Sequence, residues 1–186
     1  YLSVYEPDLV SLAERYDVNI YKRSLASRDA ENDLCSLYEW HDQLSFDYAV
    51  KINACNPFLT IDTIDRFVKR YIETSSRGLF AVMAKKNYFW NEDKEMLNTP
   101  RPAKGEVMNT KIVSPIYEAA QCLFAGDMRL IKEGIWMGNF SKGDPELFEI
   151  DEFESLDIDY EWQFKMCETI YSERLSQQPA VNTSSL

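Results

Sequence analysis

The stretch Tyr48-Ala49-Val50-Lys51-Ile52-Asn53-Ala54-Cys55-Asn56-Pro57-Phe58-Leu59-Thr60 decides the fold. Its first five residues are aromatic and β-branched at strand length and read as a buried strand. Two amides and Pro57 then make a polar turn, and Thr60 opens a helical pattern that runs to about Glu73. Leu79 to Met83 is a second apolar run of strand length. Strand, helix and strand in this order form a βαβ unit, whose crossover makes the two strands parallel.

The same alternation continues on both sides. Upstream, Tyr1 to Val4 reads as a strand, and Pro7 opens a helix over Asp8 to Tyr16 with Leu9, Leu12, Ala13 and Tyr16 on one face. Val18 to Tyr21 is a short strand, and Asp29 to Leu44 a helix carrying Leu34, Leu37, Tyr38 and His41. Downstream, Lys85 to Lys111 mixes aromatic residues with turn signals, including Pro100, Pro102 and Gly105, and reads as an inserted hairpin and loop. Ile116 to Phe124 is a strand, Asp127 to Glu133 a short helix, and Tyr160 to Leu175 a closing helix with Trp162, Phe164, Met166, Ile170 and Tyr171. The expected fold is therefore α/β, a Rossmann-like three-layer domain in which strands near Leu2, Ala49, Val82, Ile116 and Leu156 share one mostly parallel sheet. Residues 1–175 form this single domain, and the small polar tail 176–186 is expected to be disordered.

Composition bounds the function. At 186 residues, 45% hydrophobic and 27% charged, the chain is of ordinary soluble composition for one domain. Its formal net charge of -11 argues against a nucleic-acid groove or an anionic membrane surface, both of which need a basic face. No apolar run approaches the roughly 20 residues of a membrane span, so no membrane partner is expected. Cys35, Cys55, Cys122 and Cys167 are widely spaced and His41 is the sole histidine, a pattern of buried free thiols in a reducing cytoplasm rather than of zinc or disulfides. His41 reads as structural or as a surface residue.

Chemistry concentrates in Glu154-Ser155-Leu156-Asp157-Ile158-Asp159-Tyr160-Glu161. At strand spacing Asp157 and Asp159 share a face, and two carboxylates aimed at one point suit Mg²⁺ bridging to substrate phosphates. The plainer reading is a solvated acidic turn before a helix. Asn53 and Asn56 leave a strand end, where ligands bind in open α/β sheets, and offer both donors and acceptors. Alternatively they only shape the turn.

These segments resemble, in order, the acylneuraminate cytidylyltransferase (CMP-sialic acid synthetase) family. Asn53 to Thr60 is similar to its strand-end Gln-Pro-Thr-Ser-Pro-Leu-Arg-Thr loop, and Arg23-Ser24-Leu25-Ala26-Ser27 to a shortened Arg-Pro-x-x-Leu-Ala-x segment. Tyr117 to Phe124 sits where the family's Asn-Gly-Ala-Ile-Tyr strand lies, and Ser155 to Asp159 matches its Ser-Ile-Asp-Ile-Asp metal motif. The resemblance implies transfer of CMP from CTP to a sugar acid such as a nonulosonate, with release of pyrophosphate, in a cytoplasmic homodimer. It implies Asp157 and Asp159 as catalytic metal ligands, Mg²⁺ as cofactor, and Asn53, Asn56, Lys85, Lys86 and Gln121 as substrate contacts.

The chain also departs from that family. Tyr1 corresponds to the family's second strand region, so the phosphate-cradling loop is expected to be missing by truncation and the fragment to be inactive. Ser3-Val4-Tyr5 replaces a Ser-Thr-Asp, and no arginine aligns with the family's carboxylate grip: Arg101 is too far upstream and Lys111 is only a substitute. Two other classes share the features. One is a nucleotide-sugar-dependent glycosyltransferase with an Asp-x-Asp motif, and the other a non-catalytic relic or interaction module of the same fold.

Overall fold

A computed structural model describes residues 1–74, 76–98 and 103–177, with side chains through residue 174. Pro100, Arg101, Pro102 and the tail beyond Gln177 lie outside the described residues; Ser176 and Gln177, expected to begin that tail, still belong to the last helix.

In chain order the regular elements are β1 (Leu2–Val4), α1 (Pro7–Arg15), β2 (Ile20–Lys22), α2 (Leu25–Asp29), α3 (Leu34–Leu37), α4 (Trp40–Gln43), β3 (Tyr48–Ile52), α5 (Ile61–Glu73), β4 (Gly78–Lys85), β5 (Ile116–Asp127), β6 (Glu146–Glu149) and α6 (Glu161–Gln177). The fold is α/β with mostly parallel strands, as the alternation predicts. The strands do not share one sheet, however. β1 pairs in parallel with β2, Ser3 opposite Tyr21, in a two-stranded sheet, and the other strands form a four-stranded sheet in the order β3-β5-β4-β6. β3 therefore lies at the edge of that sheet and is half-buried, with Tyr48 and Ile52 exposed, where the sequence predicts burial. The strand expected at Leu156 is also absent. Its place is taken by turns over residues 152–155 and an irregular segment, and the pairing strand is β6, ten residues earlier.

Two compact units divide the chain, and the boundaries fall inside β3, α5, β4, β5 and β6 rather than in linkers. The first comprises Tyr1–Lys51, Val68–Phe80 and Phe124–Phe148. Its core holds Leu79, Met128 and Ile131, with Tyr38, Trp40 and Trp136 packed edge-to-face or tilted at ring separations of 5.4 to 5.9 Å. His41 belongs to this core rather than to the surface: its side chain is only 4% exposed, and its Nδ1 lies 2.8 Å from the Tyr38 carbonyl. The single helix expected over Asp29 to Leu44 is instead the two short helices α3 and α4, with α2 ending at Asp29. Ser24 and Asp33 cap α2 and α3 with side-chain oxygens that accept from Ser27 and Cys35 N–H groups, and the Asp33 cap restarts the backbone where periodicity alone runs on. In α1 only Ala13 is buried, whereas Leu9, Leu12 and Tyr16 are exposed.

The second unit comprises Ile52–Phe67, Ala81–Leu123 and Glu149–Leu186. Phe67, Ala81, Val82, Cys122 and Leu123 are its most buried apolar residues. α5 begins at the Thr60 cap and places Ile64, Phe67 and Thr63 at helical spacing, with Phe67 and Thr63 in the core. Within the insert, Trp90 bridges Met96 in antiparallel fashion around a tight turn closed by Asn91 and Glu95, so a hairpin is present as expected. α6 buries Cys167 and leaves Trp162, Phe164 and Tyr171 exposed. The four cysteines are free thiols, and Cys55 is exposed rather than buried. Burial pushes the Cys122 thiol up to about 11. Among the described residues, no helix is long and apolar enough to cross a membrane.

Candidate functional site

The second unit assembles its polar chemistry from two loops, residues 53–60 after β3 and residues 150–160 after β6. The first is set by the strand end. Asn53 N–H donates to the Cys122 carbonyl of β5 at 2.9 Å, continuing the ladder one residue past Ile52. The Asn53 side-chain oxygen then accepts from Cys55 N–H at 3.1 Å. That bond fixes the amide orientation and aims its nitrogen at Asp157, whose two carboxylate oxygens lie 3.4 and 3.5 Å away. These are long contacts, so Asn53 orients Asp157 while leaving its lone pairs largely unused.

Asn56 acts differently. It is 6% exposed, and its Nδ2 donates to the Ser155 and Leu156 carbonyls at 3.0 and 3.1 Å, while Ile158 N–H donates to the Cys55 carbonyl at 3.1 Å. The amide thus clamps the backbone just before Asp157. Its Oδ1 is buried without a hydrogen-bond partner among the described residues. Asn56→Ala would leave two carbonyls short of a donor. We expect a loss of about 2 kcal/mol, seen as a melting temperature about 4 to 8 °C lower. A melt within 1 °C of the parent would show that the clamp holds nothing.

Glu154 adds a second tie. Its carboxylate accepts from Thr60 N–H at 3.1 Å, from Thr60 Oγ1 at 2.5 Å and from the fully buried Thr63 Oγ1 at 2.8 Å, so the acidic loop caps the start of α5. Sequence reading passed over Glu154. The signal was Thr60 at a helix start with no acidic residue three positions on, which leaves the first N–H groups to be satisfied from elsewhere. At the other end of the loop, Gln163 Oε1 accepts from Asp159 and Tyr160 N–H at 2.8 and 2.7 Å and caps α6.

Asp157 is half-buried and Asp159 exposed. No lysine or arginine pairs with either among the described residues. Nor do the described residues contain a group of three or more His, Cys, Asp or Glu arranged to hold a metal by themselves. The expectation that Asp157 and Asp159 aim at one point assumes strand spacing, and residues 156–159 are not in a strand.

The remaining candidates are placed apart in chemistry. Lys85 is engaged by Glu152 and by Glu118 at 3.4 Å, and the bond to Glu152 holds its ammonium above the ordinary lysine range. It is thus committed to carboxylates already present. Lys86 is exposed. Gln121, also exposed, interrupts β5 with φ of +57° next to the Cys122 carbonyl that receives Asn53. Lys111 stands in a 3₁₀ turn, Thr110–Ile112.

No protein-family model and no curated protein matches the sequence. Solved structures do match. A 4-diphosphocytidyl-2C-methyl-D-erythritol synthase from Anaerococcus prevotii superposes with a TM-score of 0.59 at 12% identity, over 89% of this chain and 76% of that one. A CMP:2-keto-3-deoxy-manno-octonic acid synthetase, solved in complex with CTP, gives 0.60 at 8% identity, over 92% of this chain and 80% of that one. At such identities the likeness establishes the shared α/β fold.

Proposed function

We propose that this chain is a nucleotidyltransferase that moves CMP from CTP to a hydroxyl of a sugar, with a sugar acid of the nonulosonate kind as acceptor. The observation that carries the reading is Asp157, held at the end of β3 by Asn53 with no cation paired to it. The nucleotide chemistry is supported by the fold shared with two enzymes whose names contain a cytidylyl product or donor.

In this reaction the sugar oxygen attacks the α-phosphorus of CTP in line. The bond from that phosphorus to the bridging oxygen breaks, pyrophosphate leaves with the electron pair, and the hydroxyl proton passes to solvent or to a nearby carboxylate. Such a step depends on positioning and charge neutralisation. A Mg²⁺ ion held by Asp157 and Asp159 would supply that neutralisation. Asn53 keeps Asp157 oriented, and the clamps from Asn56 and Glu154 fix the loop that presents it, so the carboxylate needs little rearrangement when a ligand arrives.

The test is incubation with CTP, Mg²⁺ and a panel of nonulosonate and 2-keto-3-deoxy sugar acids, following pyrophosphate release and the new phosphodiester by phosphorus NMR. Turnover with one of them is the result this reading expects, in place of the inactivity that the family resemblance suggests. Failure to bind CTP by calorimetry would remove the proposal. The same reading makes the protein a homodimer, since the insert exposes Trp90, Leu97, Val107 and Met108. Sedimentation equilibrium at micromolar concentration should give twice the chain mass, and a monomer there would exclude it.

A further inference from the structure

The first unit contains a polar cleft of about 360 Å³. One wall is the connection from α5 to β4, with Thr74, Ser76 and Arg77, and the other is the turn 141–144 that leads into Glu146 of β6. None of its lining residues belongs to the loops that hold Asp157. Each carboxylate oxygen in the cleft already has a donor. Asp144 Oδ1 accepts from Ser76 Oγ and from Arg77 N–H, and its Oδ2 accepts from Asn139 N–H at 3.0 Å. Glu146 accepts from Arg70 at one oxygen and from the Thr74 hydroxyl at the other. Burial pulls both carboxyls upward, but these donors outweigh it and hold them below the ordinary carboxylate range. The cations are the reverse case. Among the described residues, no hydrogen bond or ion pair engages the Arg77 guanidinium or the Lys142 ammonium. Asp127 is also within electrostatic reach of Arg77, yet Arg129 already bonds both its oxygens, at 2.9 and 2.7 Å. With Arg70 included, three cations stand against the two carboxylates, a local positive surplus in a chain of formal net charge -11.

We propose that this cleft is an anion site in which Arg77 and Lys142 bind the phosphate group of a small phosphomonoester. The chemistry of the lining selects the ligand. Donors are in excess and the carboxylate oxygens are engaged, so the matching group is negative, rich in acceptors and poor in donors. A phosphate monoester carries close to two charges and three strong acceptor oxygens. The planar fork of Arg77 can take two of those oxygens, and the compact ammonium of Lys142 the third. A carboxylate brings one charge and one oxygen fewer. The volume lies just above the roughly 300 Å³ at which ordinary ligand pockets begin, more than a bare phosphate fills, and leaves space for a sugar-sized substituent. Gly143 keeps the rim open, since no atom lies within 4 Å of where its Cβ would stand. A phosphate bound here bridges the start of β4 to the turn 141–144, the two segments that Asp144 already ties together, so occupancy stabilises the first unit. Both cationic side chains are exposed, so the attraction is screened by salt. The site does not depend on the nucleotidyltransferase reading, whose residues lie in the second unit.

The experiment titrates the full chain, in low salt and free of divalent cations, with ribose 5-phosphate, inorganic phosphate and acetate, and follows the backbone amides by proton–nitrogen NMR. Ribose 5-phosphate should shift the amides of residues 76, 77, 142 and 143 saturably. It should bind at least about threefold more tightly than inorganic phosphate and at least about tenfold more tightly than acetate. Arg77→Gln and Lys142→Gln should each weaken it at least about fivefold, while melting within about 2 °C of the parent without ligand because neither charged group is bonded in the fold. Raising sodium chloride from about 20 to about 200 mM should weaken binding at least about threefold. Saturating ribose 5-phosphate should raise the melting temperature of the parent by about 3 °C or more. The absence of a saturable shift at these residues, or shifts that survive both substitutions, overturns the site. Acetate binding as tightly as ribose 5-phosphate overturns the phosphate class, and inorganic phosphate binding as tightly overturns the phosphomonoester. CTP turnover enters none of these readouts, so failure of the nucleotidyltransferase reading leaves this test unchanged.

Discussion

Gly78→Ala is expected to remove most of the folded protein at room temperature. Gly78 opens β4, and a Cβ built on it would sit 2.1 Å from the carbonyl carbon of Met137 and 2.4 Å from both Met137 O and Gly138 N. All three are main-chain atoms, so no rotamer change can relieve the clash. The opposing backbone is itself immobilised. Gly138 has φ of +98°, and a side chain there would meet Pro145 at 2.7 Å. Asp144 ties the two segments together, accepting from Ser76 Oγ, from Arg77 N–H at 3.0 Å, and from Asn139 N–H at 3.0 Å. Burial pulls its carboxyl upward, but these hydrogen bonds outweigh burial and hold it below the ordinary carboxylate range. Separating the segments would break this hub, so the cost should exceed about 4 kcal/mol, a large share of a typical domain's stability. Circular dichroism melts should show a fall of at least about 10 °C, or no folding transition. A fall under 3 °C would mean the two backbones are not in contact.

That contact was invisible in the sequence, and the reason is general to this chain. Local patterns were legible: β3 and α5 fall where aromatic, β-branched and helical spacing put them, and β4 and β5 only lengthen the predicted runs. Pairing was not. Nothing in Tyr48–Ile52 says that one of its edges is unpaired, because an edge strand and a central strand of a parallel sheet can carry the same residues. The stretch at Leu156 looked like a strand because its apolar residues alternate with acids. In the structure the alternation serves a loop whose carbonyls are held by Asn56. Capping explains the other miss, since Asp33 breaks a helical pattern through a side-chain bond that periodicity does not count.

In the candidate site the same limit applies residue by residue. Asn53 and Asp157, 104 positions apart, meet at the end of β3, and both residue types had pointed to that strand end and that loop. Asn56 was read with Asn53 because the two share a turn, yet its buried amide serves the loop backbone. Lys85 is held by Glu118 and Glu152, neighbours that only the folded chain supplies. The strain at Gln121 is a backbone property of a single residue, and no sequence pattern encodes it.

Asp157→Asn should lower CTP-dependent pyrophosphate release at least about 100-fold, equivalent to about 2.7 kcal/mol of transition-state stabilisation, while leaving the melting temperature within about 2 °C. The fold should tolerate the change because, among the described residues, the hydrogen bonds to the Asp157 side chain are the long ones from Asn53, and an amide oxygen can still accept them. What asparagine cannot supply is a formal negative charge to a divalent cation. Asp159→Asn should act in the same direction. The Asp159 main chain is fixed by Gln163, so losing its carboxylate charge removes a candidate metal ligand without loosening the helix cap. Manganese titration followed by electron paramagnetic resonance separates this role from a merely structural one. Each variant should bind Mn²⁺ at least tenfold more weakly than the parent, in proportion to its loss of turnover. Unchanged Mn²⁺ binding in both variants would detach the metal from these carboxylates. A lowered melting temperature with intact turnover would assign Asp157 to holding the loop, and the reaction would then need its charge stabilisation from elsewhere in the chain.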